Sequence, residues 1–255
     1  MIRPVLLAAC LLAAPAFAQA QAAVSAPAPA PALPPAQAPA FSPRAMAIAR
    51  MIVPLDVSTE ATMREAKKAF FITARTDPGM VDLEKSYPGI AAALWPVVEQ
   101  EIRKASVEEH GPYLEGLAAF MTSRLAPAEL DAMHAFYASA TGQRVIAEMF
   151  RGINVDGMMA EIISTGGQSV SAAAIESTLS TEARRVAGTL RPEDMPALQT
   201  LLRGISEAKL MAFNADLRRF MVEWINKPTP ELDARIAKVV DEWMLQYMIE
   251  HPARD

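Results

Sequence analysis

The 255-residue chain has a single cysteine, Cys10, and little glycine, 11 residues in all. It has no basic excess: the formal charge is −5, with an isoelectric point near 5.4. A mildly acidic surface argues against a general nucleic-acid binder, which needs a basic face for phosphates. The sequence contains no H-E-x-x-H pair, no G-x-S-x-G elbow and no phosphate loop with its lysine. His110, His134 and His251 are the only histidines, and no two stand at metal-ligand spacing. Alternating strand patterns and Asn-Gly hairpin signals are missing too. These absences yield no catalytic residue, no metal ligand and no cofactor site.

The N-terminus is the first positive feature. "MIRPVLLAACLLAAPAFAQA" opens with the amine and Arg3, continues with an apolar run and ends in small residues at Ala16 and Ala18. This is the pattern of a secretory leader, residues 1–18, cleaved after Ala18. The run is shorter than the roughly 20 residues needed to cross a bilayer, so the mature chain should carry no transmembrane helix. Without a twin arginine, export is expected through the general pathway, to the periplasm or beyond. Cleavage removes Cys10, and with it any disulfide, thiolate nucleophile or thiolate metal site. "LAAC" also has the form of a lipoprotein box, which would anchor the chain through Cys10; the apolar run continues past it, so cleavage at Ala18 is the preferred reading.

Residues 19–43 form a Pro/Ala-rich linker in which alternating Ala-Pro favours extended polyproline II and cannot build a core. It reads as a spacer, with a ligand for a proline-recognising groove as the alternative.

From residue 44 onward the pattern is helical. Arg44 to Val53 is a short apolar helix. Ser58 is placed to cap a helix through about Arg75, with Met63, Ala66, Phe70 and Thr73 on one side. The next stripe is Ile90, Leu94, Val97, Val98 and Ile102; Pro96 should kink it or start a new helix, and "HGPYLEGLAAFM" reads as a break with Pro112 as a first helical residue. Leu210, Phe213, Leu217, Phe220, Met221 and Trp224 form the strongest amphipathic stripe. A final helix opens at Thr229–Pro230 and should bury Leu232, Ile236, Val239, Val240, Trp243 and Tyr247. The expected fold is an all-α multi-helix bundle over residues 44–255, in two helical halves with a hinge near 164–169, "STGGQS". "LAPAELDAM" at Leu125 and "LRPEDMPAL" at Leu190 echo one another, either as a duplicated hairpin or because both are helix starts.

Two further features bear on function. Fifteen methionines are unusual: thioethers fill irregular cores, line adaptable apolar grooves and bind copper(I). Core packing is the reading adopted. "EEHGPYLE" gathers Glu108, Glu109, His110 and Glu115, either as a divalent-ion site or, preferably, as a solvated helix end.

The segment from Leu125 to Met149, "LAPAELDAMHAFYASATGQRVIAEM", reads as helix, break, helix. Pro127 opens the first, Glu129 suits its positive end, and Leu130, Met133, Phe136 and Tyr137 share a face. Ser139 has the chemistry to cap the second helix, with Thr141 as rival. Gly142 costs roughly 1 kcal/mol against alanine in a helix, a cost that a close approach of backbones would offset. The segment resembles the core motif of the DUF2059 family of bacterial exported proteins at Pro127, Glu129, Leu130, Phe136, Tyr137, Ser139, Gly142 and Gln143. It departs at Ala126, where the family prefers a hydroxyl cap, and at Ala140, where it prefers proline. The resemblance implies an all-helical exported protein and no catalytic residues. The leading expectation is a non-catalytic envelope module that binds a partner protein or an apolar small molecule. The alternatives are a hydrolase or other enzyme assembled from dispersed residues, and a lipid-anchored structural envelope protein.

Overall fold

The computed structural model describes residues 41–152, 154–164 and 170–252. Residues 1–40, where the leader and most of the linker are expected, residue 153, residues 165–169 of the expected hinge and the last three residues lie outside these. The described chain is all-α. Its helices are α1 (Pro43–Ile52), α2 (Leu55–Thr76), α3 (Pro78–Ser86), α4 (Ile90–Arg124), α5 (Pro127–Ala138), α6 (Ala140–Gly152), α7 (Asp156–Ser164), α8 (Ala172–Ala187), α9 (Met195–Gly204), α10 (Glu207–Ile225) and α11 (Pro230–Glu250), with a 3-10 turn at Pro192–Asp194 before α9. Among the described residues no helix is long and apolar enough to cross a membrane.

The apolar side chains form two clusters. The larger draws on α1, Ala61 and Ala69 of α2, the second half of α4 and α5 to α10; Ala45, Ile48, Ala49 and Ile52 of α1 are all fully buried in it. It contains residues from both sides of the 165–169 segment, so the two sequence halves share one core. The smaller cluster joins Met63 and Ala66 of α2 to Leu94, Trp95, Val98 and Ile102 of α4, with α11 laid against it. The methionines divide: Met63, Met121, Met133, Met149, Met158 and Met221 are buried, Met46, Met51, Met80, Met195, Met244 and Met248 are half-buried, and Met211 is exposed.

Three local expectations are corrected. Ser58 does not cap α2. The helix starts earlier, at Leu55 after Pro54, and Ser58 lies buried inside it. Its hydroxyl donates to the Leu55 carbonyl at 3.0 Å, so burial leaves it satisfied. Thr73 is exposed and Ala74 takes the buried position.

The break at Pro112 does not occur, nor does a new helix start at Pro96. Both lie inside α4, a single helix of 35 residues. Proline removes one hydrogen bond and crowds the carbonyl four residues back. Here both prolines, and Ala92 and Glu108 four residues before them, are exposed, on the side of the helix open to water. The inner face meanwhile stays apolar through Leu94, Trp95, Val98, Ile102, Tyr113, Leu117 and Met121. Tertiary packing holds the helix continuous where local propensity would end it.

The third correction concerns α11, whose apolar face is as expected in position but only half-buried; no α11 residue is buried outright. Its main neighbour is α4. Arg235 links the two helices through Glu101 at 2.8 Å and Glu108 at 3.0 Å. The two echoing segments open α5 and the 3-10 turn before α9, and α5 and α9 pack together, with Gly204 against Ala132.

Because Pro112 denies α4 a hydrogen bond without contributing core contacts, Pro112→Ala should stabilise the protein by about 1–3 kcal/mol. Chemical denaturation read by circular dichroism checks this; an unchanged or lower midpoint would mean that the helix depends on the proline.

Candidate functional site

The segment from Leu125 to Met149 forms a tight corner between α5 and α6. Ala126 has no side chain to cap α5, yet half of the usual exchange survives: the Glu129 carboxylate accepts the Ala126 N–H at 2.7 Å. The same carboxylate meets Lys209 at 2.6 Å and ties α5 to the start of α10. The Lys209 contact, followed by the Ala126 bond, holds the Glu129 carboxyl below the usual glutamate range against a desolvation cost.

At the corner, the Ser139 hydroxyl donates to the Phe136 carbonyl at 2.6 Å and accepts the Gly142 N–H at 3.1 Å. Gln143 Nε2 donates to the Tyr137 carbonyl at 2.7 Å. The end of one helix and the beginning of the next are thus satisfied by two side chains of the motif. Gly142 is required by space: a Cβ there would stand 2.2 Å from the Phe136 carbonyl oxygen and 2.6 Å from the Tyr137 Cα. The backbone pressing on Gly142 belongs to the preceding helix. Leu130, Phe136 and Tyr137 are buried in the larger core.

Thr141, the rival cap, has a different task. Its hydroxyl donates to Asp194 Oδ1 at 2.9 Å. Asp194 is fully buried, and its carboxylate also accepts the Arg191 N–H at 2.8 Å and pairs with the Arg144 guanidinium. This clasp fixes α6 to the 3-10 turn before α9. Burial opposes ionisation of Asp194, but the bonds from Arg144, the Arg191 backbone and Thr141 outweigh it and hold its carboxyl below the usual aspartate range. Sequence reasoning missed this group. "RPED" carries only the signal of a helix start, and nothing local announces that Asp194 meets residues 50 positions earlier.

The outer face of α6 looks into a groove of about 510 Å³, with the first turns of α2 as the opposite wall. Ala61, Ile146 and Phe150 are its buried apolar residues; Val57, at 43% exposure, stands at the mouth. Asp56, Glu60, Arg64 and Arg151 add charge to the lining. Arg64 holds the walls together, donating to the Phe150 carbonyl at 3.0 Å. Glu60 is held by Arg103 at 2.6 Å, which also meets Glu99 at 3.1 Å. The lining includes no histidine, cysteine, serine, threonine or methionine.

The other sequence candidates are dispersed. His110 Nε2 lies 2.9 Å from the Val53 carbonyl, joining α4 to the end of α1. It sits within a continuous helix, so "EEHGPYLE" is no helix end. His134 is half-buried on α5, and His251 stacks on Tyr247 at 4.1 Å. Among the described residues no group of three or more His, Cys, Asp or Glu side chains is arranged to hold a metal ion. Comparison with protein-family models, with curated proteins and with solved structures finds no match.

Two outcomes test the corner and the clasp. Gly142→Ala should lower stability by about 1–3 kcal/mol despite alanine's higher helix propensity, because its methyl meets backbone and no flexible side chain can yield. Calorimetry checks it, and a rise in melting temperature would contradict the packing. Asp194→Asn should cost roughly 2–3 kcal/mol at pH 7. A carboxyl lowered in the folded state stabilises above its unfolded value of about 3.9, and that stability is lost as pH falls through the folded value. The gap between wild type and variant in urea melts should therefore narrow below about pH 4. A gap independent of pH would show that the charge contributes nothing.

Proposed function

We propose that this chain is an exported, non-catalytic helical module that holds an apolar small molecule in the groove between α2 and α6. The observation that carries the reading is the groove itself, whose volume is in the range of small-molecule sites. Its buried part is aliphatic and aromatic, and its lining lacks the histidine, hydroxyl and thiol side chains from which nucleophile–base pairs are built. A partner protein offering an apolar side chain is the second reading, favoured by the exposure of Val57 at the mouth.

Export is supported by the leader-like residues 1–18 with small residues at Ala16 and Ala18. Membership of the DUF2059 family is supported by the segment from Leu125 to Met149, whose Ser139, Gly142 and Gln143 have distinct structural tasks at the α5–α6 corner. Of the motif residues Gln143 lines the groove, and the others act on it by setting the path of α6.

Ala147 lies on the groove wall and is exposed. Ala147→Arg should fill the groove with a charged side chain and change stability by no more than about 0.5 kcal/mol. Titration with the neutral apolar dye N-phenyl-1-naphthylamine should show saturable binding to wild type and at least a tenfold weaker response in the variant. Equal responses would remove the groove as the site. A wild type that binds neither dye nor envelope lipid extract would remove the small-molecule reading.

A further inference from the structure

The charges that line the α2–α6 groove are sorted by end. Arg64 of α2 donates to the Phe150 carbonyl of α6 at 3.0 Å. The walls, residues 54–64 and 143–151, lead up to that contact from the same side, so the two helices run in the same direction. Arg64 and Arg151 therefore share one end of the groove. Asp56 stands at the other, two turns earlier on α2 and about 12 Å away along its axis. Glu60, halfway between them, is held by Arg103 at 2.6 Å. Among the described residues exposed Asp56 makes no ion pair. At the basic end Arg64 Nε pairs with Glu65 at 3.1 Å, and Arg151 pairs with Glu148 through Nη1. A guanidinium carries five N–H donors, so both arginines keep some for a further acceptor.

Between the two ends lies the apolar floor of Ala61, Ile146 and Phe150. The order is carboxylate, apolar surface, guanidinium. A complementary ligand carries a cation at one end, an anion at the other and apolar groups between, over about 12 Å. A single-headed amphiphile answers only one end. An extended peptide of four residues spans roughly 13–14 Å, whereas two residues span at most about 7 Å and reach one end only. In an extended peptide the first and third side chains point the same way, so both can rest on the floor. Its terminal ammonium then meets Asp56, and its carboxylate meets the planar donor forks of Arg64 and Arg151.

We propose, resting on the reading of this groove as a binding site, that its ligand is a short apolar peptide of about four residues with both ends free, bound extended with its amine at Asp56 and its carboxylate at Arg64 and Arg151. The apolar floor supplies attraction, and the two charged ends supply direction and length.

The test is calorimetric titration of the full chain, at low salt, with the peptide Leu-Ala-Leu-Ala, its N-acetyl form, its C-terminal amide and the doubly blocked form. The free peptide should bind, each single block should weaken binding about threefold or more, and both together about tenfold. These differences should shrink at high salt. Asp56→Asn should erase the effect of acetylation and keep that of amidation. Arg151→Gln should reduce the effect of amidation and keep that of acetylation. Ala147→Arg should abolish binding of the free peptide. Equal binding of free and doubly blocked peptides overturns the proposal, as does peptide binding that survives Ala147→Arg. If no peptide binds while N-phenyl-1-naphthylamine still titrates, the peptide ligand is overturned and the apolar groove stands. If neither binds, both fall.

Discussion

The arrangement of α5 and α6 rests on one close approach. The backbone at Gly142 passes so near the Phe136 carbonyl that no side chain fits between them. That contact fixes the direction in which α6 leaves α5, and most of the surrounding sequence serves it. Ser139 and Gln143 satisfy the polar groups that such a turn would otherwise strand in a partly buried place, where each unpaired group costs about 1–3 kcal/mol. Phe136 and Tyr137 drive the end of α5 into the core, so the turn has little freedom to open. One face of α6 is then committed to the core through Val145, Ile146, Met149 and Phe150, and the edge that carries Ile146 and Phe150 also forms a groove wall with α2.

Asp194 acts on the same helix from the other side. A buried carboxylate is tolerated only when its partners are themselves held in place. Thr141 and Arg144 are positioned by the corner, and the Arg191 N–H by the 3-10 turn. The ion pair is therefore a consequence of the corner's geometry, and in turn it specifies where α9 docks. Hydrophobic contact between α5 and α9 could slide along either helix. The clasp, together with the tight fit of Gly204 on Ala132, admits one register.

Helical periodicity made the all-α class and most helix faces legible. The stripe from Leu210 to Trp224 and the corner motif were readable because their determinants are local: caps, proline at a first turn, residues three and four apart. Legibility ended where partners distant in sequence decide. Pro112 looks like a helix start until one sees that it faces water while Tyr113 and Leu117 face the core. Ser58 looks like a cap until Pro54 is seen to begin the helix one turn earlier. The groove was foreseen only as a kind of site; its walls come from residues 54–64 and 143–151, and no pattern within either stretch points to the other. Asp194 was invisible for the same reason.

The long α4 also explains why the two apolar clusters differ in character. Its second half is enclosed by α1 and α10, whereas its first half meets α2 and α11 with fewer layers around them. On that side ion pairs cross between the helices: Arg103 to Glu60, and Arg235 to Glu101 and Glu108. Partly exposed ion pairs contribute only about 0–1 kcal/mol each and weaken with salt. A half-buried apolar face must therefore supply most of the attachment of α11, while Leu245 and Ile249 remain in water at 62% and 68% exposure. Helices held by so little buried surface open locally before the rest of a protein does. The corner and the clasp belong to the larger, closed cluster, so the wall of the groove contributed by α6 keeps its place when α11 lifts away.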